Sequence, residues 1–182
     1  MIKLHAVPSQ ANTSVALMTL ISACEKCIEQ CDEVLEPIPE SVFIRSFQSN
    51  SPIGSHVRHV IERFDCFFNG CSGGTINYDQ RKRDRKLEQS LSNARAALAA
   101  IRRSLSQLGS SRNTSLVVVE SVNENCAPVA VDSTLERELM GLVSHTTHHL
   151  AIIGLLVKAQ GYRLSADFGK APSTLIYERN NE

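Results

Sequence analysis

The segment Leu139-Met140-Gly141-Leu142-Val143-Ser144-His145-Thr146-Thr147-His148-His149-Leu150-Ala151-Ile152-Ile153 sets three histidines in the middle of an apolar run. Leu135, Leu139, Leu142, Thr146, Ile153 and Leu156 recur at spacings of three, four and seven, the period of a core-facing helical stripe. His145 and His149 are four apart, so on a helix they stack one turn from each other on one face. Both lie on or beside the stripe and point into the protein rather than at water. A buried imidazole is costly unless its polar atoms find partners. Two readings follow: a pair of core histidines satisfied by hydrogen bonds, or two ligands offered by one helix to one metal ion.

Working outward, the apolar period recurs three more times. A first helical segment runs from about Pro8 to Glu36 and ends at Pro37-Ile38-Pro39. A second begins after Ser49-Asn50-Ser51-Pro52, a serine cap with proline at the first helical position, and stops at Asn69-Gly70-Cys71-Ser72-Gly73-Gly74. The third spans Asp79 to Leu108 with a stripe through Leu87, Leu91, Ala94, Leu98, Ile101 and Leu105, broken by Gly109-Ser110-Ser111. The fourth runs from about Ser133 to Gln160, capped by Asp132-Ser133 and closed by Gly161. Before it, the β-branched runs at 116–122 and 127–131 flank Asn123-Glu124-Asn125 and read as a small hairpin or extended crossover, with Pro128 favouring an edge. The tail from Ser165 to Glu182 has no period and reads as coil over the mouth of the helices or as a loose end. The sequence predicts an all-α four-helix bundle, one domain over residues 1–182, with that β excursion before its last helix.

Composition narrows the function classes. A chain of 182 residues can bury a substantial core unaided. Lys plus Arg equals Asp plus Glu at 19 each, which gives no sign of a nucleic-acid or strongly acidic partner. Met1 to Pro8 lacks a basic region followed by an apolar run, and no uninterrupted apolar stretch approaches the roughly 18 residues that span a bilayer. The expectation is a soluble cytoplasmic protein without a membrane partner. Cys24, Cys27 and Cys31 mimic a metal-binding run, but they continue a stripe with Leu17, Leu20, Ile21, Ile28, Val34 and Leu35. They read as buried thiols. Cys66, Cys71 and Cys126 are scattered, which argues against a disulfide framework.

A catalytic metal site of the zinc type takes three protein ligands and leaves one position open. The second helix offers His56 and His59. Helix geometry alone prefers His56, which lies nearer the Ile53, Val60, Phe64 stripe. The pattern Ile53-Gly54-x-His56-x-x-His59-Val60-Ile61, followed about ninety residues on by His145-x-x-His148-His149, resembles the DinB/YfiT-like superfamily of metalloenzymes (the DinB-like domain). Asn77-Tyr78-Asp79-x-Arg81-x-Arg83-Asp84 and Asp167-Phe168-Gly169-x-Ala171-Pro172-Ser173-Thr174 look like one branch of it. The resemblance implies a four-helix bundle and a three-histidine metal site at His59, His145 and His149, with His56 and His148 as neighbours.

Three neutral imidazoles would leave a divalent ion its full charge and at least one open position. Imidazole-only ligation suits zinc, nickel, iron or copper, with zinc, nickel or iron the expected occupants, and affinity order alone does not choose among them. The resemblance implies a metal-dependent enzyme acting on a small-molecule substrate that it does not name. The superfamily includes thiol-dependent transferases and isomerases that use a low-molecular-weight thiol, and members with no assigned reaction. The alternative class is a non-catalytic, stress-related or dimerising bundle, a homodimer included, that keeps a structural or vestigial metal. Glu62, three residues after His59, is a candidate to orient an imidazole, whereas Glu138 lies two helical turns before His145, about 10 Å along the axis. Arg81, Lys82, Arg83, Arg85 and Lys86 form the strongest basic cluster. A solvated helix start is the plain reading; the sharper ones are a carboxylate, such as that of a thiol cofactor, or a nucleic-acid phosphate, which the few aromatic residues disfavour.

Overall fold

A computed structural model describes residues 10–48, 50–108 and 113–181, with side chains from residue 15 onward. The sequence readings at Pro8, at Ser49 and at Gly109-Ser110-Ser111 lie outside the described residues. The chain is mostly helical with one small mixed sheet. Four long helices carry the apolar stripes: α1 (Gln10–Leu35), α3 (Ile53–Cys71), α5 (Leu91–Gln107) and α6 (Leu135–Ala159). α6 packs on α1 and α3, and α5 packs on the same two from the other side, so the four close a ring. Into it point Leu17, Ile28, Val57, Phe64, Leu98 and Leu139, all buried. The six stripe residues of α6 are buried without exception. By length and composition α6 is apolar enough to cross a membrane; its packing on α1 and α3 accounts for part of that apolarity, and Met140 and Leu155 stay exposed.

The third predicted helix is two. Asp79 to Asp84 is not helical, Arg83 has φ 51°, and Asp84 caps a short α4 (Arg85–Gln89) by accepting from the Lys86 amide. Ser90 then takes an extended conformation and caps α5 by accepting from the Asn93 amide. Side-chain oxygens that satisfy orphan amides start helices and interrupt them, and two such residues six apart, Asp84 and Ser90, outweigh a continuous apolar period. A further short helix, α2 (Glu40–Ile44), follows the Pro37-Pro39 break and buries Phe43.

The crossover is a hairpin. β2 (Ser115–Glu120) and β3 (Val129–Thr134) pair antiparallel with Val118 opposite Val131. A third strand, β1 (Thr75–Asn77), pairs parallel with β2, Ile76 opposite Val118, so the all-α description gains a three-stranded sheet in the order β1-β2-β3. Asp132 and Ser133 belong to β3, and the cap of α6 is Thr134, which accepts from the Arg137 amide. The tail is not coil throughout: Pro172–Arg179 form α7. Gly169, at φ 69°, lets the preceding turn lie against α6, where a Cβ would stand 2.9 Å from the Ala151 nitrogen. Gly54 does the same for α3 and α4: a Cβ there would meet the Glu88 carbonyl oxygen at 2.3 Å.

Candidate metal centre

α3 delivers His59 and α6 delivers His145 and His149 to one place. Ring centroids are 4.8 Å apart for His59–His145 and 4.7 Å for both His59–His149 and His145–His149. The result is a nearly equilateral triangle of imidazoles. One nitrogen from each ring lies within 4.8 Å of the other two, and all three side chains are half-buried. A group so arranged can hold a metal ion.

The donor chemistry fits that occupant. Burial pushes the His59 imidazole down to about 4, with the Arg81 guanidinium the next cause. His145 and His149 fall to about 3, again first by burial, then through Arg63 for His145 and through His59 for His149. All three rings are neutral at pH 7, the state that ligates. His145 Nε2 is buried and has no hydrogen-bond partner, an orphan that a metal would satisfy.

His56, preferred by the helical wheel, stands outside the triangle. Its Nδ1 lies 3.2 Å from His149 Nδ1, so one ring donates to the other. That contact occupies the nitrogen of His149 turned toward His56 and orients the ring, the part an outer imidazole commonly plays. His148 is exposed, its ring edge-on to His149 at 5.3 Å.

Glu62 does not orient an imidazole. It is buried, accepts from Arg58 Nη1 at 2.9 Å and from the Asp84 amide at 2.7 Å, and ties α3 to the segment before α4. Glu138 is likewise remote from the triangle: Tyr78 donates to it at 2.8 Å and Ser133 also donates. Arg63 stacks on the Tyr78 ring, 3.6 Å from its centroid, and pairs with Glu120. Arg81 turns inward and donates to His59 Nδ1, while Lys82, Arg83, Arg85 and Lys86 are exposed. Arg58–Glu62 is a local i, i+4 pair, but Asp84 lies 22 residues from Glu62 and His59 lies 22 from Arg81, so no local pattern signals these two contacts.

Cys24, Cys27 and Cys31 are buried free thiols in α1, Cys24 donating to the Leu139 carbonyl at 3.5 Å. Comparisons with protein-family models, with curated proteins and with solved structures return no match for this chain. The functional reading therefore stands on the site itself.

Proposed function

We propose that this chain is a metal-dependent enzyme built on a DinB-like four-helix bundle, with His59, His145 and His149 holding one divalent transition metal, zinc, nickel or iron. The observation that carries the reading is the triangle of neutral imidazoles with an unpartnered buried nitrogen on His145. Three protein ligands on two facing helices leave room for a small molecule, the pattern of catalytic rather than structural sites. When bound, such an ion supplies Lewis acidity toward a carbonyl or a bound water and stabilises a thiolate. The protein's own part is to keep the imidazoles unprotonated, to orient His149 through His56, and to line one flank with guanidinium groups. Within this reading the chemistry is a thiol-dependent transfer or isomerisation on a small cytoplasmic substrate.

Metal analysis of purified protein after exposure to zinc, nickel or iron at neutral pH tests it. One equivalent per chain is expected. Replacement of His59, His145 or His149 by Ala should lower occupancy sharply, because each removes one ligand of three. His56→Ala should weaken uptake less, because it removes an orienting contact and no ligand. An empty site in His56→Ala with a full one in His59→Ala would overturn the ligand assignment. No uptake by the unaltered protein would leave a non-catalytic helical protein.

A further inference from the structure

We infer that the triangle's ligand is a small acid and that Arg81 receives its carboxylate, an inference that rests on the metal-centre reading above. The guanidinium groups nearby are not equivalent. Arg58 is engaged by Glu62 and Glu88, Arg63 by Glu120, and Arg85 reaches Glu88. Arg81 makes no ion pair with any carboxylate among the described residues. Its side chain is half-buried and directed at the triangle, where its protein contact is a neutral ring, His59.

Its placement is built. The segment that carries Arg81 is fastened to the sheet at one end, where the Tyr78 amide donates to the Val119 carbonyl at 3.0 Å and Asp79 accepts from the Ser121 amide at 2.8 Å. At the other end the Asp84 amide donates to Glu62 on α3, the helix that also carries His59. Arg81 is thereby held in a fixed relation to the first ligand, and a receptor fixed before binding loses little entropy on binding.

Charge then selects the ligand. Three neutral imidazoles leave a divalent ion uncompensated, and Arg81 adds one more positive charge in a half-buried setting. Glu62, Glu88 and Glu120 are committed to Arg58, Arg63 and Arg85. An anionic ligand would supply the balance. A guanidinium presents paired N–H donors that match a carboxylate in geometry as well as in charge. A molecule with a carboxylate at one end and a metal-binding donor, such as a thiol, at the other satisfies both features.

Cobalt(II)-loaded protein provides the test, because thiolate binding changes its visible spectrum. The probes are mercaptoacetate and 2-mercaptoethanol, which share the thiol and differ in carboxylate against hydroxyl. The unaltered protein should bind mercaptoacetate about 10- to 100-fold more tightly, the range for a hydrogen-bonded ion pair shielded from water. Arg81→Ala should bring the two affinities together by weakening mercaptoacetate alone. Arg81→Lys, which keeps the charge without the paired donors, should lose most of the preference, and Lys82→Ala, an equal charge change next door, none of it. Circular dichroism melts check that each variant is folded. A preference intact in folded Arg81→Ala, or absent from the unaltered protein, would overturn the inference. Failure of the protein to take up cobalt would instead sink the metal reading. Calorimetry of mercaptoacetate with metal-free protein then decides the receptor alone: Arg81-dependent binding sustains it, and no binding overturns it.

Discussion

Two glycine-to-alanine substitutions inside helices should move stability in opposite directions. At an exposed helical site the exchange favours folding by up to about 1 kcal/mol, because alanine has the higher helix propensity. Gly141, half-buried on α6, has room for the added methyl. A Cβ there meets Arg137 Nη1 at 3.3 Å, the free end of a flexible side chain that can swing aside. Gly141→Ala should add about 0.5–1 kcal/mol and raise the midpoint by about 1–4 °C for a chain of this size. Gly54 is the reverse case. Its Cβ would lie 2.3 Å from the Glu88 carbonyl oxygen and 3.0 Å from that residue's C and Cα, so backbone and not side chain must give way. Forcing α4 off α3 carries an overpacking cost of about 1–3 kcal/mol. It also weakens the bonds Glu88 accepts from Ser55 at 3.0 Å and Arg58 at 2.8 Å, contacts to a charged group worth about 1.5–3 kcal/mol when well made. After the propensity gain, Gly54→Ala should lose about 2–4 kcal/mol and about 4–16 °C in midpoint. Thermal and urea melts followed by circular dichroism read both. A Gly54→Ala midpoint at or above that of the unaltered protein would refute the close approach of α3 and α4.

Stability should also depend on pH. His59, His145 and His149 titrate near 4, 3 and 3 when folded, against 6.5 when unfolded. Between these values the unfolded chain binds more protons, so stability should be level above about pH 6.5 and fall as pH drops toward 4. Urea midpoints in metal-free buffers check this, and the triple alanine variant should show a shallower fall. Tyr78→Phe strands the buried Glu138 carboxylate, which loses the Tyr78 bond and keeps that from Ser133, at a cost of about 1–3 kcal/mol. Adding Glu138→Gln should recover part of it, and a double-mutant cycle without coupling would contradict the contact. Alkylation of native protein should label exposed Cys126 first, with Cys24 and Cys31 silent until unfolding, because burial shields both thiols and pushes their pKa up. Mass spectrometry of a timed iodoacetamide reaction shows the order, and early labelling of Cys24 would contradict its burial.

Much of this architecture is legible in the chain because burial writes a period into it. The stripes of α3, α5 and α6 are local signals, and so is the four-residue spacing of His145 and His149. What escaped is non-local or brief. β1 has three residues and exists only through its parallel partner some forty positions on, a pairing no short window contains. The break at Ser90 hides because capping overrules an apolar period that continues past it. The wheel favours His56 over His59 because it ranks residues by nearness to the apolar stripe, whereas both reach His149, one by hydrogen bond and one in the triangle. The engagement of Glu62 with the Asp84 amide depends on a turn whose course is set by the sheet.

The helices that supply the triangle are far apart in the chain, and that separation governs how a bound ion and the fold relate. Tying a residue near 59 to one near 145 closes a loop of about ninety residues, which in an unfolded chain costs more than 4 kcal/mol of conformational entropy. Here α3 and α6 already lie side by side through Val57, Phe64, Leu142 and Ile153, buried apolar residues of the shared core. Hydrophobic packing closes the loop, and an ion would find it closed. That is the opposite of a zinc finger, where metal and fold arrive together. Chelation should therefore leave this chain folded. An ion present at a hundredfold excess over its Kd would add by mass action only about 2.7 kcal/mol, so a metal bound there would be a guest of the fold rather than its scaffold.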